Sequence, residues 1–214
     1  MYRKGFGAIV AGLFMTAIAG HAAAGTMQAS VPAAQRAYTP VYGRTLPPMG
    51  FVEFCGRHRS ECEPAGSSRR ASLTEAAWRQ LTEVNSYVNA SIEPVSDQEL
   101  YAVPERWDFP TDAGDCEDYV LLKKRYLERL GFPADALLIT VVLDEIGEGH
   151  AVLTVTTSKG DFVLDNRRNE VLPWSATRYR FLKRQSQEDP RTWLALSGAG
   201  KTSVVEASSG EKIK

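Results

Sequence analysis

Cysteine and histidine are scarce in this 214-residue sequence, with three of each, and neither sign of charge is in excess, with 25 Lys+Arg against 26 Asp+Glu. A balance so near neutrality excludes the broad basic footprint of a general nucleic-acid binder. After residue 24 no segment is apolar enough to span a bilayer, which excludes an integral helical membrane protein from the rest of the chain. Internal repeats are absent, and no linker divides residues 50–196, so a single domain is expected. A hydrophobic share of 43% with 9% aromatics supports a packed globular core.

What the N-terminus does contain is a short basic start, Arg3 and Lys4, an apolar run from Gly5 to Ala19, and the small-residue ending His21-Ala22-Ala23-Ala24. The run is shorter than the roughly 20 residues a membrane span needs, so the pattern predicts a signal peptide over residues 1–24, cleaved after Ala24, and a periplasmic protein. Its removal takes two basic residues and no acids, leaving 23 Lys+Arg against 26 Asp+Glu, a charge near −3.

Export gives the few cysteines meaning. Cys55 and Cys62 lie in 51-FVEFCGRHRSEC-62, where an oxidising compartment favours a local disulfide. Zinc with His58 as third ligand is the alternative; it lacks a fourth ligand and a familiar spacing. Cys116 is left over, and an idle thiol in an exported protein needs a purpose.

Residues 25–50 and the tail 197–214 lack hydrophobic period and read as flexible ends around a domain at 51–196. Ser72 with Glu75 has the capping-box spacing ahead of Ala77, Leu81, Val84 and Val88, which predicts a helix over 73–89. A second helix begins at 115-DCEDYVLLKKRYLERLG-131, with Asp115 as N-cap, an apolar stripe at Tyr119, Leu122, Tyr126 and Leu130, and Gly131 then Pro133 as its stop. Runs at 136–144, 150–157 and 161–165 are dense in Val, Ile, Leu and Thr and predict strands, with one more near 179–183. Helices first and an antiparallel sheet afterwards make the fold α+β.

Cys116 falls in the first turn of the second helix, where free backbone N–H groups and the macrodipole favour a thiolate. Its neighbours Asp115, Glu117 and Asp118 oppose one. His150, opening a strand, is the base available in the core, because His21 lies in the signal peptide and His58 in the cysteine loop. Asp165 shares a sheet face with His150 if the turn near 158-SKG-160 has two or four residues, and a three-residue loop would separate them. Cys116 as nucleophile, His150 as base and Asp165 as orienting group is the arrangement of a cysteine hydrolase. The Cys116 backbone N–H and a donor from the preceding loop, with Trp107 as wall or donor, would hold the oxyanion.

In this order and context, 114-GDCEDYVLLKKRYLERLG-131, 149-GHAVLTV-155 and 161-DFVLDN-166 resemble the bacterial transglutaminase-like cysteine peptidases, of which periplasmic proteases of the LapG type are the best understood. The likeness extends through 85-NSYVN-89, 107-WDFP-110, Trp174 and 179-YRFLKRQS-186. It implies a papain/transglutaminase-like fold, helices packed on an antiparallel sheet with the catalytic Cys at a helix N-terminus, and a cysteine peptidase acting on a protein substrate. It also implies calcium held by Asp115 and Glu117, a surface adhesin as substrate, and control by an inner-membrane receptor for cyclic di-GMP. Calcium would explain the acids around the thiol, since a bound cation reverses the local charge argument; the alternative is that Asp115 caps the helix and Asp118 completes a capping box. A monomer is expected. Transglutaminase or peptidoglycan amidase chemistry on the same three residues is the nearest alternative, and a non-catalytic periplasmic binding protein is the alternative of another class.

Overall fold

The computed structural model describes Met1, residues 37–66 and residues 69–197; the expected signal peptide beyond Met1 and most of the expected tail lie outside them. Nine strands and four α-helices follow one another in chain order among the described residues: β1 (Gly43–Thr45), α1 (Met49–Arg57), α2 (Glu75–Ser91), β2 (Glu93–Pro94), α3 (Asp97–Tyr101), β3 (Ala113–Gly114), α4 (Cys116–Arg129), β4 (Leu137–Leu143), β5 (Gly149–Thr157), β6 (Gly160–Asp165), β7 (Arg168–Pro173), β8 (Arg180–Gln185) and β9 (Trp193–Ala195). Seven strands make one antiparallel sheet in the order β1-β9-β8-β4-β5-β6-β7, while β2 and β3 form a separate short parallel pair. The α+β expectation holds. No helix among the described residues is long and apolar enough to cross a membrane.

The strands alternate between two apolar clusters, as a period of two requires. Leu137, Ile139, Val141, Leu153 and Val155 face the helices, where they bury Leu81, Val84 and Val88 of α2 and Val120 and Leu127 of α4. Val142, Val152 and Val163 face the other way, onto Tyr179 and Phe181. Helix α4 stops as its sequence predicts: Gly131 adopts φ +91°, and the N–H groups of Gly131 and Phe132 return to the carbonyls of Glu128 and Leu127.

Several boundaries differ from expectation. Helix α2 begins two residues late because the Thr74 hydroxyl, rather than Ser72, caps it by accepting the Ala77 N–H at 3.1 Å. The capping box of this region sits instead at Ser96 and Glu99, ahead of α3. In the stretch read as flexible before residue 51, β1 pairs with β9 and α1 has already started. Cys55 and Cys62 form a disulfide, which removes the zinc alternative. His58 instead meets Asp108 at 2.9 Å and packs on Phe54 and Phe109.

Candidate active site

Helix α4 delivers Cys116 at its first position, and the thiol is buried, 5% exposed. Gly114 makes this entry feasible, because a Cβ there would lie 2.6 Å from Asp118 Oδ2. Asp115 occupies the N-cap position but makes no side-chain cap bond. The Cys116 Sγ–H donates to Glu117 Oε2 at 3.1 Å, and the Ala151 N–H reaches Sγ at 3.4 Å. That second contact sets the sulfur against the residue following His150. Burial, then the charges of Glu117 and Asp115, push the Cys116 thiol well above its usual range.

The turn between β5 and β6 has two residues, Ser158 and Lys159, since Thr157 pairs with Gly160 and Leu153 with Leu164. His150 and Asp165 therefore share a sheet face, and His150 Nε2 lies 2.9 Å from Asp165 Oδ1 with both side chains 1% exposed. Burial raises the Asp165 carboxyl, but the hydrogen bond and charge of His150, with the Arg167 N–H and the Tyr179 hydroxyl, outweigh it and hold the group well below the usual carboxylate range. An ionised carboxylate only accepts, so Nε2 carries the shared proton and the neutral ring keeps its lone pair on Nδ1. Nδ1 has no hydrogen-bond partner. From α2, the Asn89 amide donates to the Asp165 carbonyl at 2.9 Å, and the Asn85 amide donates to the Arg168 and Asn169 carbonyls at 2.9 and 3.0 Å. These asparagines grip the turn that carries Asp165.

Beside the thiol, one carboxylate oxygen from each of Asp97, Asp115 and Glu117 lies within 4.8 Å of the others, and all three residues are buried. Burial and then the Asp115 charge raise Asp97 to about 6 despite the Arg106 N–H, and the same two causes raise Glu117 well above its usual range. Burial raises neighbouring Asp118 to about 8, although its Oδ1 accepts the Asp108 N–H at 2.9 Å. Asp97 Oδ1 and Glu117 Oε1 have no hydrogen-bond partner. A hard, oxygen-binding cation fits such a donor set, because it would satisfy buried carboxylate oxygens that otherwise repel one another. Asp97 escaped the sequence analysis. Its signal was the Ser96–Glu99 capping box, which fixes Asp97 in the first turn of α3.

A cleft of about 350 Å³ opens over Cys116 and His150, lined also by Pro94, Val95, Ser96, Gly149, Asn166 and Arg167. Trp107, expected at the oxyanion, is not among the residues that line it. The indole is fully buried, its Nε1–H donates to Glu105 at 2.6 Å, and its edge meets Phe51 with ring centroids 5.7 Å apart. Tryptophan in a loop before a nucleophile is as well used for packing as for catalysis, and only tertiary contacts distinguish the two.

The family model for the bacterial transglutaminase-like cysteine proteinases matches residues 41–201. Among solved structures, Legionella pneumophila LapG is 27% identical over 57% of this chain and 71% of its own, with a TM-score of 0.48. The EGTA-treated form of that protein is 28% identical over 56% and 67%, with a TM-score of 0.48. Its calcium-bound form is 23% identical over 73% and 83%, with a TM-score of 0.49. No curated protein matches the chain.

Proposed function

We propose that this chain, which belongs to the bacterial transglutaminase-like cysteine proteinases and is a cysteine peptidase, is an exported endopeptidase that cleaves a periplasmic or cell-surface protein through a thioester on Cys116. The observation that carries the assignment is the buried His150–Asp165 pair at 2.9 Å, whose Nδ1 has no other partner, next to a thiol at a helix N-terminus.

The chemistry follows from those atoms. His150 Nδ1 takes the Sγ–H proton, and the sulfur lone pair forms a bond to the scissile carbonyl carbon while the carbonyl π pair moves onto oxygen. The Cys116 N–H, which has no intrahelical acceptor at the first helical position, donates to that oxyanion. Collapse restores the carbonyl, breaks the C–N bond and gives the amine the proton held on His150. A water molecule, deprotonated by the same nitrogen, then releases the new carboxylate and regenerates the thiol. Asp165 remains ionised throughout, keeping Nε2 protonated and the imidazolium stabilised.

Asp97, Asp115 and Glu117 would hold a calcium ion. When bound, the ion supplies positive charge that keeps the three carboxylates ionised and lessens the field opposing the Cys116 thiolate. The acids have a clear use in that setting, since the first turn of α4 is shaped by groups that would otherwise repel each other in a buried space.

A surface adhesin is the substrate class that this reading favours, with control by an inner-membrane receptor for cyclic di-GMP that sequesters the peptidase. The test compares surface and released proteins of cells carrying the intact gene with those of cells carrying Cys116→Ala or His150→Ala. A large surface protein shortened near its N-terminus and released only in the first strain is expected. Identical protein termini in all three strains would overturn the endopeptidase assignment.

A further inference from the structure

Tyr179, directly before β8, touches both partners of the buried pair. Its hydroxyl donates to Asp165 Oδ2 at 2.6 Å, the oxygen that His150 does not use. Its ring meets the His150 imidazole edge-on, with centroids 5.7 Å apart and planes at 82°. Arg168 Nη2 donates to the same hydroxyl at 3.2 Å, so the phenol accepts from a cation on one side and donates to an anion on the other. That fixes the hydroxyl rotor, which a lone phenol would leave free.

The backbone around Tyr179 is closely held. Arg178 adopts φ +63°, a left-handed conformation in which the Cβ of a non-glycine residue crowds its own backbone. Thr177 Oγ1 donates to the Trp174 carbonyl at 2.9 Å and accepts the Tyr179 N–H at 3.3 Å. The turn directly before the buried phenol is thus fixed by its own hydrogen bonds, which limits the positions the phenol can take.

We propose that Tyr179 is a positioning residue for this peptidase: it locks the Asp165 carboxylate in the rotamer that keeps Oδ1 on His150 Nε2, and so keeps the proton on Nε2 and the Nδ1 lone pair free to take the Cys116 proton. The inference rests on the Cys116–His150–Asp165 assignment. With the Arg167 N–H on Oδ1 at 3.0 Å and Arg168 Nε 3.4 Å from Oδ2, Tyr179 completes a set in which both oxygens are engaged. Without its hydroxyl, Oδ2 loses its one short hydrogen bond, the carboxylate is held less firmly, and its bias toward the Nε2–H tautomer of His150 weakens.

The test uses the mature protein in calcium-saturated buffer, with two readouts: the rate at which iodoacetamide alkylates Cys116, and the nitrogen-15 NMR signature of the His150 tautomer in histidine-labelled protein. Tyr179→Phe retains the ring and removes only the hydroxyl. It is expected to slow alkylation about tenfold, the scale of one hydrogen bond to a charged group, and to shift the Nε2–H signal toward a tautomer mixture. Asp165→Asn is run beside it. Parent-like alkylation in Asp165→Asn overturns the three-residue assignment and this inference with it. A slow Asp165→Asn together with a parent-like rate and NMR signature in Tyr179→Phe overturns the role of Tyr179 alone. Should Tyr179→Phe fail to fold, Arg168→Gln removes the second partner of the hydroxyl from a part-exposed position; a smaller slowing with the same NMR change is expected, and an unchanged signature overturns the inference.

Discussion

Lys123 is a full turn and more beyond the site on α4, completely buried, with no hydrogen-bond partner for its Nζ. Its nearest electrostatic company is the Tyr119 ring, 5.8 Å from Nζ to the centroid, and the Asp165 charge. Burial lowers its pKa from 10.5 to about 7, against the upward pull of Asp165. At about 1.4 kcal/mol per pKa unit, that drop corresponds to a ceiling of about 5 kcal/mol against the charged form in the folded protein. Local relaxation and water entry reduce the realised cost, so Lys123→Met, which keeps the length and removes the charge, is expected to stabilise the protein by about 1–4 kcal/mol near neutral pH. The sign with pH follows from the direction of the shift. Between about 7 and 10.5 the unfolded chain holds the Lys123 proton and the folded chain does not, so stability rises with pH across that window, and the penalty is fully present below it. Urea unfolding of parent and variant at several pH values in calcium-saturated buffer measures this, because other titrating groups are common to both and cancel in the difference. The variant should lead most at low pH, with its advantage shrinking as pH climbs toward 10. A Lys123→Met protein less stable than the parent, or a difference independent of pH, would refute the reasoning.

Chelation should lower the melting temperature, since an ion bound at 100 times its Kd stabilises the folded state by about 2.7 kcal/mol; at about 2–4 °C per kcal/mol for a domain of this size, a fall of several degrees is expected by scanning calorimetry, with calcium restoring it and magnesium doing so poorly. Asp97→Asn and Glu117→Gln should each blunt that response, and a calcium titration unchanged in both would remove the ion from the site. Intact-mass measurement after iodoacetamide treatment of the unreduced protein should find one carbamidomethyl group, on Cys116, whereas three would contradict the Cys55–Cys62 disulfide. Gly114→Ala should destabilise by more than 1 kcal/mol in chemical denaturation, because its Cβ would lie 2.6 Å from Asp118 Oδ2 and 3.1 Å from Pro110 Cβ; a neutral effect would mean that the Asp118 carboxylate can move aside at no cost.

Local rules made some parts of this molecule legible and left others opaque. The stop of α4 was readable because Gly131 acts through its own backbone freedom, and the strands from 137 to 165 because their apolar runs are long. Whether His150 and Asp165 meet depended on parity alone: a two-residue turn at Ser158-Lys159 aligned them, and one residue more would have turned Asp165 to the opposite face. By contrast β1 and β9 are three residues each. Strands so short carry little periodic signal, and they exist through long-range pairing, β9 along the edge of β8 and β1 along β9. Helix α1 was hidden by its cysteine, since the 51–62 segment reads first as a disulfide loop, although Phe51 and Phe54 at i, i+3 spacing are both core residues.

The acids around Cys116 mark the deepest limit of local reading. Asp115, Glu117 and Asp118 adjoin the thiol in sequence, and a cap was a sufficient account of Asp115 as long as only the chain order was in view. The Asp115 side chain makes no cap bond. Its carboxylate belongs instead to a group completed by Asp97, eighteen positions upstream, which α3 introduces. Three buried carboxylates, of which Asp97 and Glu117 are pushed above their usual range by burial and by the Asp115 charge, are poor neighbours for a thiolate, yet they suit a divalent cation. Like charges buried together are expensive unless something of opposite sign accompanies them. Their placement beside the free Cys116 therefore argues that the local charge conflict is resolved by a bound cation, which would tie the proposed nucleophile and the proposed ion site together where α3 meets the first turn of α4.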